Sequence, residues 1–515
     1  MLRTRLALLA VLFASPAVAA EPVRVTNLDD GAVLRYPLAL LRGRLDDTAA
    51  DIVCVNQSSG RPSRTIKGVA DRGRFVVLAE LLPGDNRLLL RAGAQELPFV
   101  LTYKPQTNPY FVRVVWMTDA GGGTAYESPL ENDPQDYENK LDTGLKLMQC
   151  FTAERMNDLG FGRVTFNLEF DDRGRVRVHT VKGDLPAESY YRMDEQAWYR
   201  HVDELVRRRF PGDRTKNLVL AAYTRFDPQT GKVRGHTALG GGQLALFGSG
   251  GLFAWPSTPA DVAAAFADTH PVDGKAVFDD SAFRGTFWGV AATTLGSALH
   301  ELGHTFDLPH SREPLDVMTR GFDRFNRAFT LVEPPSRLNR QPLRFAEREV
   351  ACFAPVSAAY LKGSRWFALD ERPYRDAGRP SVRLDDDSGE LVVEADNGVR
   401  YIGLDVRGEA VDFRAYWDRE PPKEVRFREA DLTPRAKTTD VRLRVLDDQG
   451  LSRSVEAGPL LERRKKDVPL PGHAEEPVAP SLTPTTSQTS RTPRPFSSTR
   501  RGASPRKTKR SRTRA

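Results

Sequence analysis

Three histidines and a glutamate fall within residues 300–310, in the run His-Glu-Leu-Gly-His-Thr-Phe-Asp-Leu-Pro-His. His300 and His304 stand four residues apart, about one helical turn, so both imidazoles project from one face. Glu301 lies about 100° further round the helix, where a carboxylate reaches a metal-held water without competing as a ligand. His310 lies beyond the helix and can return as a third ligand. Three neutral imidazoles leave the fourth position of a tetrahedral Zn2+ open to water. Zinc lowers the pKa of such a water toward neutrality, and Glu301 is the base placed to take its proton. Only eight histidines occur in 515 residues, so three at these offsets form a specific signal. A zinc site kept for structure alone has no need of the Glu301 carboxylate.

The surrounding elements must hold these groups in register. Residues 290–306 contain no proline, and Leu295, Leu299, Leu302 and Phe306 recur at helical spacing, which predicts a helix buried along that stripe. The chain must then turn sharply to bring His310 back. Asp307 stands at the turn, and aspartate is one of the few non-glycine residues enriched at positive φ. A competing reading has its carboxylate orient a histidine ligand. Pro309 forbids continuation of the helix and pre-sets the approach to His310.

Met318 follows His310 by eight residues. A HExxHxxGxxH motif followed by a methionine-bearing turn resembles the metzincin zinc endopeptidases. More narrowly, residues 300–310 together with Val-Met-Thr-Arg-Gly-Phe-Asp-Arg-Phe-Asn-Arg at 317–327 resemble a zinc metallopeptidase family known mostly from eukaryotes. Its members pair a HELGHTFG-type motif with an I-M-x-R-G-F-D-x-x-N-R stretch. The strong match covers about residues 288–329, and the departure that bears on the site is Asp307 in place of glycine. The resemblance implies a metzincin-like fold, Met318 as a hydrophobic floor under the zinc, and peptide-bond hydrolysis.

The wider chain predicts an α/β (α+β) metzincin-like catalytic domain over residues 106–375, flanked by two small all-β sandwiches. The first, immunoglobulin-like, covers residues 21–105, with short β-type runs at 32–34, 38–41, 75–78 and 87–90 and a turn at 83–86. The second covers residues 376–462. Within the catalytic region, residues 111–117 and 218–223 predict buried strands. Helices are expected from Asp133-Pro134 to about Leu159 and over residues 193–209, and a hairpin over 164–181 around Asp172-Arg173-Gly174. The glycine-rich stretch 236–256 suits an irregular edge strand. In metzincins such an edge runs above the zinc and pairs with extended substrate. A phosphate-cradling loop is a weak alternative there, because no Lys-Ser/Thr and helix follow.

Residues 1–20 read as a signal peptide: Arg3 and Arg5, an apolar run over 6–13, and Ala-Val-Ala-Ala at 17–20. The expectation is export, with no membrane span. Residues 463–515 read as a disordered basic tail, poor in large apolar side chains. Its last 25 residues hold ten Lys or Arg and no acid; without them the net charge of +7 becomes −3, and without Arg3 and Arg5 it becomes −5. The body is thus mildly acidic. The tail could hold anionic surface polymers, but lacks the interleaved aromatics of nucleic-acid binders. Cys54, Cys150 and Cys352 allow one disulfide at most and read as buried thiols. His179, His201, His236, His270 and His473 receive surface or packing roles. The number of subunits is not legible.

The reading is an exported zinc-dependent endopeptidase acting on protein or peptide substrate. One alternative is a zinc amidase or deacetylase acting on cell-wall or glycan material. Another is a surface adhesion protein with a vestigial metal site.

Overall fold

The strand Phe111–Thr118 turns Val112, Val114 and Trp116 to one face and Val115 and Met117 to the other, and all five are fully buried. A strand buried on both faces needs helices on both. In the computed structural model, which describes residues 23–46, 51–58, 65–375, 378–432 and 440–467, it lies within a six-stranded sheet. Thr215–Ala221 runs parallel to it, Leu244–Gly248 runs parallel beyond that, and Ala238–Gly241 closes the edge antiparallel. Helices Tyr137–Asp158 and Phe287–Thr305 cover the Trp116 face. Helix Glu195–Arg209 covers the Met117 face through Trp198, Val202 and Leu205.

Two expectations for this region are corrected. Residues 164–181 pair with each other only at the tip, 169–177, around Asp172-Arg173-Gly174. Asn167–Leu168 and Val178–Lys182 both run parallel to Phe111–Thr118, in line along the same edge, and one antiparallel bridge, Phe170 to Val176, closes the excursion between them. The helix expected from Asp133-Pro134 starts at Tyr137, because Gln135 holds φ 57° and the Asp133 carboxylate is engaged by Tyr126, Ser128 and the Gln135 N–H. Residues 140–156 of that helix are buried all round. Its charges are therefore paired: Lys146 with Asp142 (3.0 Å), and Glu154 with Arg163 (2.7 Å).

The N-terminal region packs two sheets, four-stranded and five-stranded, around Leu40, Val77, Leu90 and Leu101. Its strand Leu38–Arg44 reads Leu-Ala-Leu-Leu without alternation because its outer face rests on helix Tyr137–Asp158. The turn expected at 83–86 sits earlier: strand Gly84–Ala92 already starts at Gly84, and Asn86 turns its side chain back to Leu82.

The C-terminal region packs a three-stranded sheet, Ser381–Leu384, Leu391–Glu394 and Glu424–Phe427, against a five-stranded one. The five-stranded order is His310–Ser311, Glu409–Ala415, Val399–Val406, Val441–Asp447, Ser452–Glu456. Its first strand comes from the motif segment. Helix Ala457–Asp467 follows, so residues 463–467, expected to begin the tail, are helical. The expected signal peptide and the rest of the tail lie outside the described residues. Among the described residues no helix is long and apolar enough to cross a membrane. Cys54, Cys150 and Cys352 are free thiols, and burial pushes all three upward in pKa.

Candidate metal centre

Helix Phe287–Thr305 starts at Thr286, whose hydroxyl accepts the Gly289 N–H (3.3 Å). Glycines at 289, 296 and 303 recur every seventh residue on one face. A Cβ at Gly296 would collide with the Phe322 carbonyl, and one at Gly303 with the Met318 sulfur. The smallness of Gly296 and Gly303 lets the segment 317–328 lie directly against the helix. This stripe was visible in the sequence, but not what it would admit. Met318 is fully buried beneath the motif, its N–H bound by Asp316 (3.0 Å).

The helix ends in a Schellman turn. The Leu308 N–H bonds the Gly303 carbonyl (3.2 Å) and the Asp307 N–H bonds the His304 carbonyl (3.1 Å). This geometry needs a left-handed residue, and Asp307 supplies it at φ 64°. The Asp307 carboxylate accepts from the Tyr360 (3.3 Å) and Ser452 (3.4 Å) hydroxyls. Among the described residues no histidine bonds this carboxylate, so no contact supports the competing reading in which it orients a ligand.

The three imidazoles come together. Their metal-capable nitrogens lie within 4.8 Å of one another. His300 Nδ1–H donates to the Val317 carbonyl (2.7 Å), and His304 Nδ1–H donates to the Leu308 carbonyl (2.8 Å). A carbonyl can only accept, so each ring carries its proton on Nδ1 and keeps the Nε2 lone pair. Those two Nε2 atoms stand 3.0 Å apart. Two lone pairs at that distance repel unless a shared cation lies between them, so the donor set fits zinc. Burial, then mutual repulsion, holds His300 well below the usual imidazole range, and burial holds His304 at about 4; the partial enclosure of its ring lowers His310, against the pull of Glu409. All three shifts favour the neutral imidazole, the form that ligates.

Glu301 is buried beside them, and among the described residues no group hydrogen-bonds its carboxylate. Burial pushes its pKa up to about 8, while a divalent cation alongside acts in the opposite direction. Above it runs Ala238–Gly241. A Cβ at Gly240 would collide with the Glu301 carbonyl, so only glycine lets this strand come so close. Tyr199 supports the strand's turn by sharing its single hydroxyl proton between the Gly241 and Leu244 carbonyls (2.8 Å to each). One edge of the strand pairs with Leu244–Gly248; among the described residues no strand pairs with the other. Only residues 238–241 of the glycine-rich stretch are this edge, since Leu244–Gly248 is a fully buried inner strand.

The remaining described histidines stay outside the cluster. His179 bonds Glu169 (3.0 Å), His201 bonds Asp184 (2.7 Å), His270 bonds Asp268 (2.7 Å), and His236 is half-buried between Phe247 and Phe278.

Comparison with known proteins places this arrangement. The chain is 28% identical over 280 residues to a protein of Schizosaccharomyces pombe named "Putative zinc metalloproteinase", covering 50% of this chain and 45% of the relative. It is 29% identical over 295 residues to a protein of the same description in Saccharomyces cerevisiae, covering 50% and 42%. The chain thus spans about half the length of the curated relatives it matches. Among solved structures, OgpA from Akkermansia muciniphila aligns over 68% of this chain and 93% of its own, at 18% identity and TM-score 0.43. Archaemetzincin from Methanopyrus kandleri aligns over 46% and 91%, at 14% and 0.20. A family model described as "Putative peptidase family" matches residues 22–398, well over half of the sequence, and the matched span contains all three imidazoles and Glu301. The chain therefore belongs to that peptidase family.

Proposed function

We propose that this chain is an exported zinc-dependent endopeptidase with a metzincin-like catalytic region. The observation that carries the reading is the convergence of two Nε2 lone pairs and His310 beside a buried, unpaired Glu301. His300, His304 and His310 would hold the zinc. A zinc ion bound there supplies Lewis acidity, which acidifies a water and polarises a carbonyl. Glu301 would take the proton of the attacking water and pass it to the leaving amine. Met318 packs under the motif and shapes the floor without ligating.

The free edge of Ala238–Gly241 offers unpaired backbone groups next to Glu301. An extended peptide can add there as a further strand, so main-chain bonds hold it in place. This favours a polypeptide substrate over a sugar, which has no matching ladder of donors and acceptors. Export rests on the leader-like residues 1–20, and the basic residues of 491–515 are suited to hold anionic surface polymers.

The test is incubation of the purified protein with denatured casein, with and without a zinc chelator. Cleavage that the chelator abolishes and added zinc restores is the expected result. Cleavage indifferent to the chelator would overturn the zinc mechanism.

A further inference from the structure

The structure assigns the C-terminal β-region a part in the metal centre: its five-stranded sheet positions the third imidazole, His310, and the buried pair Arg444–Asp405 clamps the turn before it. This deepens the proposed function and rests on its reading of the three imidazoles as zinc ligands.

The three histidines are held in different ways. His300 and His304 sit on the motif helix, and each ring is fixed by its own Nδ1–H bond to a backbone carbonyl. The His310 ring has no such bond among the described contacts, and the residue is exposed. Its position therefore depends on its backbone. That backbone is the outermost strand of the C-terminal sheet: His310 pairs in parallel with Glu409, and Ser311 with Ala410. On the other side the Thr319 hydroxyl donates to the Ser311 carbonyl (2.7 Å). A two-residue strand cannot order itself, because fixing each residue costs backbone entropy that one or two hydrogen bonds barely offset. The sheet it joins supplies the missing order.

The same sheet grips the turn. Arg444, on strand Val441–Asp447, is almost wholly buried and makes a two-pronged pair with Asp405 (3.0 and 3.1 Å). Its remaining reach goes to the turn: Nη1 donates to the Asp307 carbonyl (3.2 Å). The guanidinium also stacks near the rings of Tyr360 (5.0 Å) and Tyr401 (5.8 Å). Ser452, on the last strand, and Tyr360 donate to the Asp307 carboxylate. The left-handed residue of the Schellman turn is thus held at both its carbonyl and its side chain. Asp405 neutralises Arg444, so the clamp acts by geometry rather than by adding a field at the metal. Asp405, Glu409, Arg444 and Ser452 all lie beyond residue 398, where the family match ends. Arg444 is a positioning residue, and aspartate at the glycine position is the partner that this sheet holds.

The test uses the full chain and a zinc-chelator competition that reads zinc affinity. Arg444→Met alone would leave Asp405 buried and unpaired, so the working variant is Arg444→Met with Asp405→Leu. We expect zinc to bind at least about tenfold more weakly, the scale seen for groups that orient ligands. The zinc-free variant should still melt cooperatively. In a His310→Ala background the same pair of replacements should change zinc affinity by less than about twofold, because the ligand they position is gone. Unchanged affinity in the pair variant, or an equal loss in both backgrounds, would overturn the proposal. Should the pair variant fail to fold, Arg444→Lys keeps the charge but loses the planar fork. It should weaken zinc several-fold, and wild-type affinity there would overturn the clamp equally. A wild-type chain that takes up no zinc would instead remove the reading of the site itself, and the clamp with it.

Discussion

Two β-regions flank the same catalytic core and meet it differently. The N-terminal one rests on the back of helix Tyr137–Asp158, where Tyr36, Asn27 and Arg42 converge with Arg163 on the buried Glu154 carboxylate. It shares a continuous hydrophobic core with the catalytic sheet, yet its polar contacts, on helix Tyr137–Asp158 and to Arg344 and Asp370, involve none of the proposed ligands. The C-terminal one keeps a core of its own around Leu391, Ile402 and Val445, adds of its buried residues only Tyr401, Ala410 and Leu446 to the shared one, and lends its sheet edge to His310. Shared apolar core and shared chemistry are therefore different things. The region more deeply fused to the core by packing is the one further from the metal centre by contact.

Substitutions can break that comparison or sharpen it. The largest effect belongs to the centre both regions frame. Glu301→Ala should keep zinc stoichiometry near one while turnover falls at least about a hundredfold, since the ligands stay and the base is lost. His304→Ala should lose metal and activity together. Metal content and turnover measured side by side separate the two roles, and full activity in the Glu301 variant would remove it from the mechanism.

Next is the N-terminal contact. Glu154→Ala leaves Arg163 and Arg42 without their buried partner and should destabilise the fold by about 3–5 kcal/mol. Zinc affinity of the folded fraction should stay within about twofold of wild type. Thermal melting and chelator competition together check this. A fall in zinc affinity comparable to that of the Arg444 and Asp405 variant would erase the contrast between the two regions.

A smaller effect sits at the turn. Asp307→Gly relieves a left-handed strain of about 1 kcal/mol but gives up two long hydroxyl contacts, so zinc affinity should move by less than about threefold. Asp307→Val should cost about tenfold or more, because a β-branched side chain tolerates positive φ poorly. Equal affinities in the two variants would show that backbone conformation does not set the turn.

The smallest effect is at the ion pair beside His310. Glu409 meets Arg312 at 3.0 Å with both side chains about half exposed, a pair worth about 0–1 kcal/mol. Glu409→Gln should leave zinc affinity within about twofold, since the backbone ladder and not the carboxylate positions His310. A larger loss in the same competition assay would move the positioning role to the side chain.

Much of the centre was legible before any coordinates. The i, i+4 histidines, the proline-free apolar stripe and the stop at Asp307-Leu308-Pro309 are local statements, and a helix is a local structure. Helix Phe287–Thr305 and the positive φ at Asp307 follow from residues within a few positions of one another. The region 164–181 was legible only at its turn, because a turn-like Asp-Arg-Gly between two β-type runs looks the same whether the runs pair along their length or, as here, part beyond the tip to add to a distant strand.

By itself, then, the sequence determined the chemistry on offer: which side chains could ligate, which could act as base, and where the helix carrying them had to end. Those properties depend on residue type and on a repeat of about 3.6 residues, both written locally. Tertiary structure alone decided who holds the pieces. The carbonyls that set the tautomers of His300 and His304, the strand that carries His310, and the arginine that grips Asp307 come from turns and sheets whose partners are chosen by packing across the whole chain. A strand accepts any neighbour whose backbone groups align, so its partner is settled only when the fold brings the two edges together.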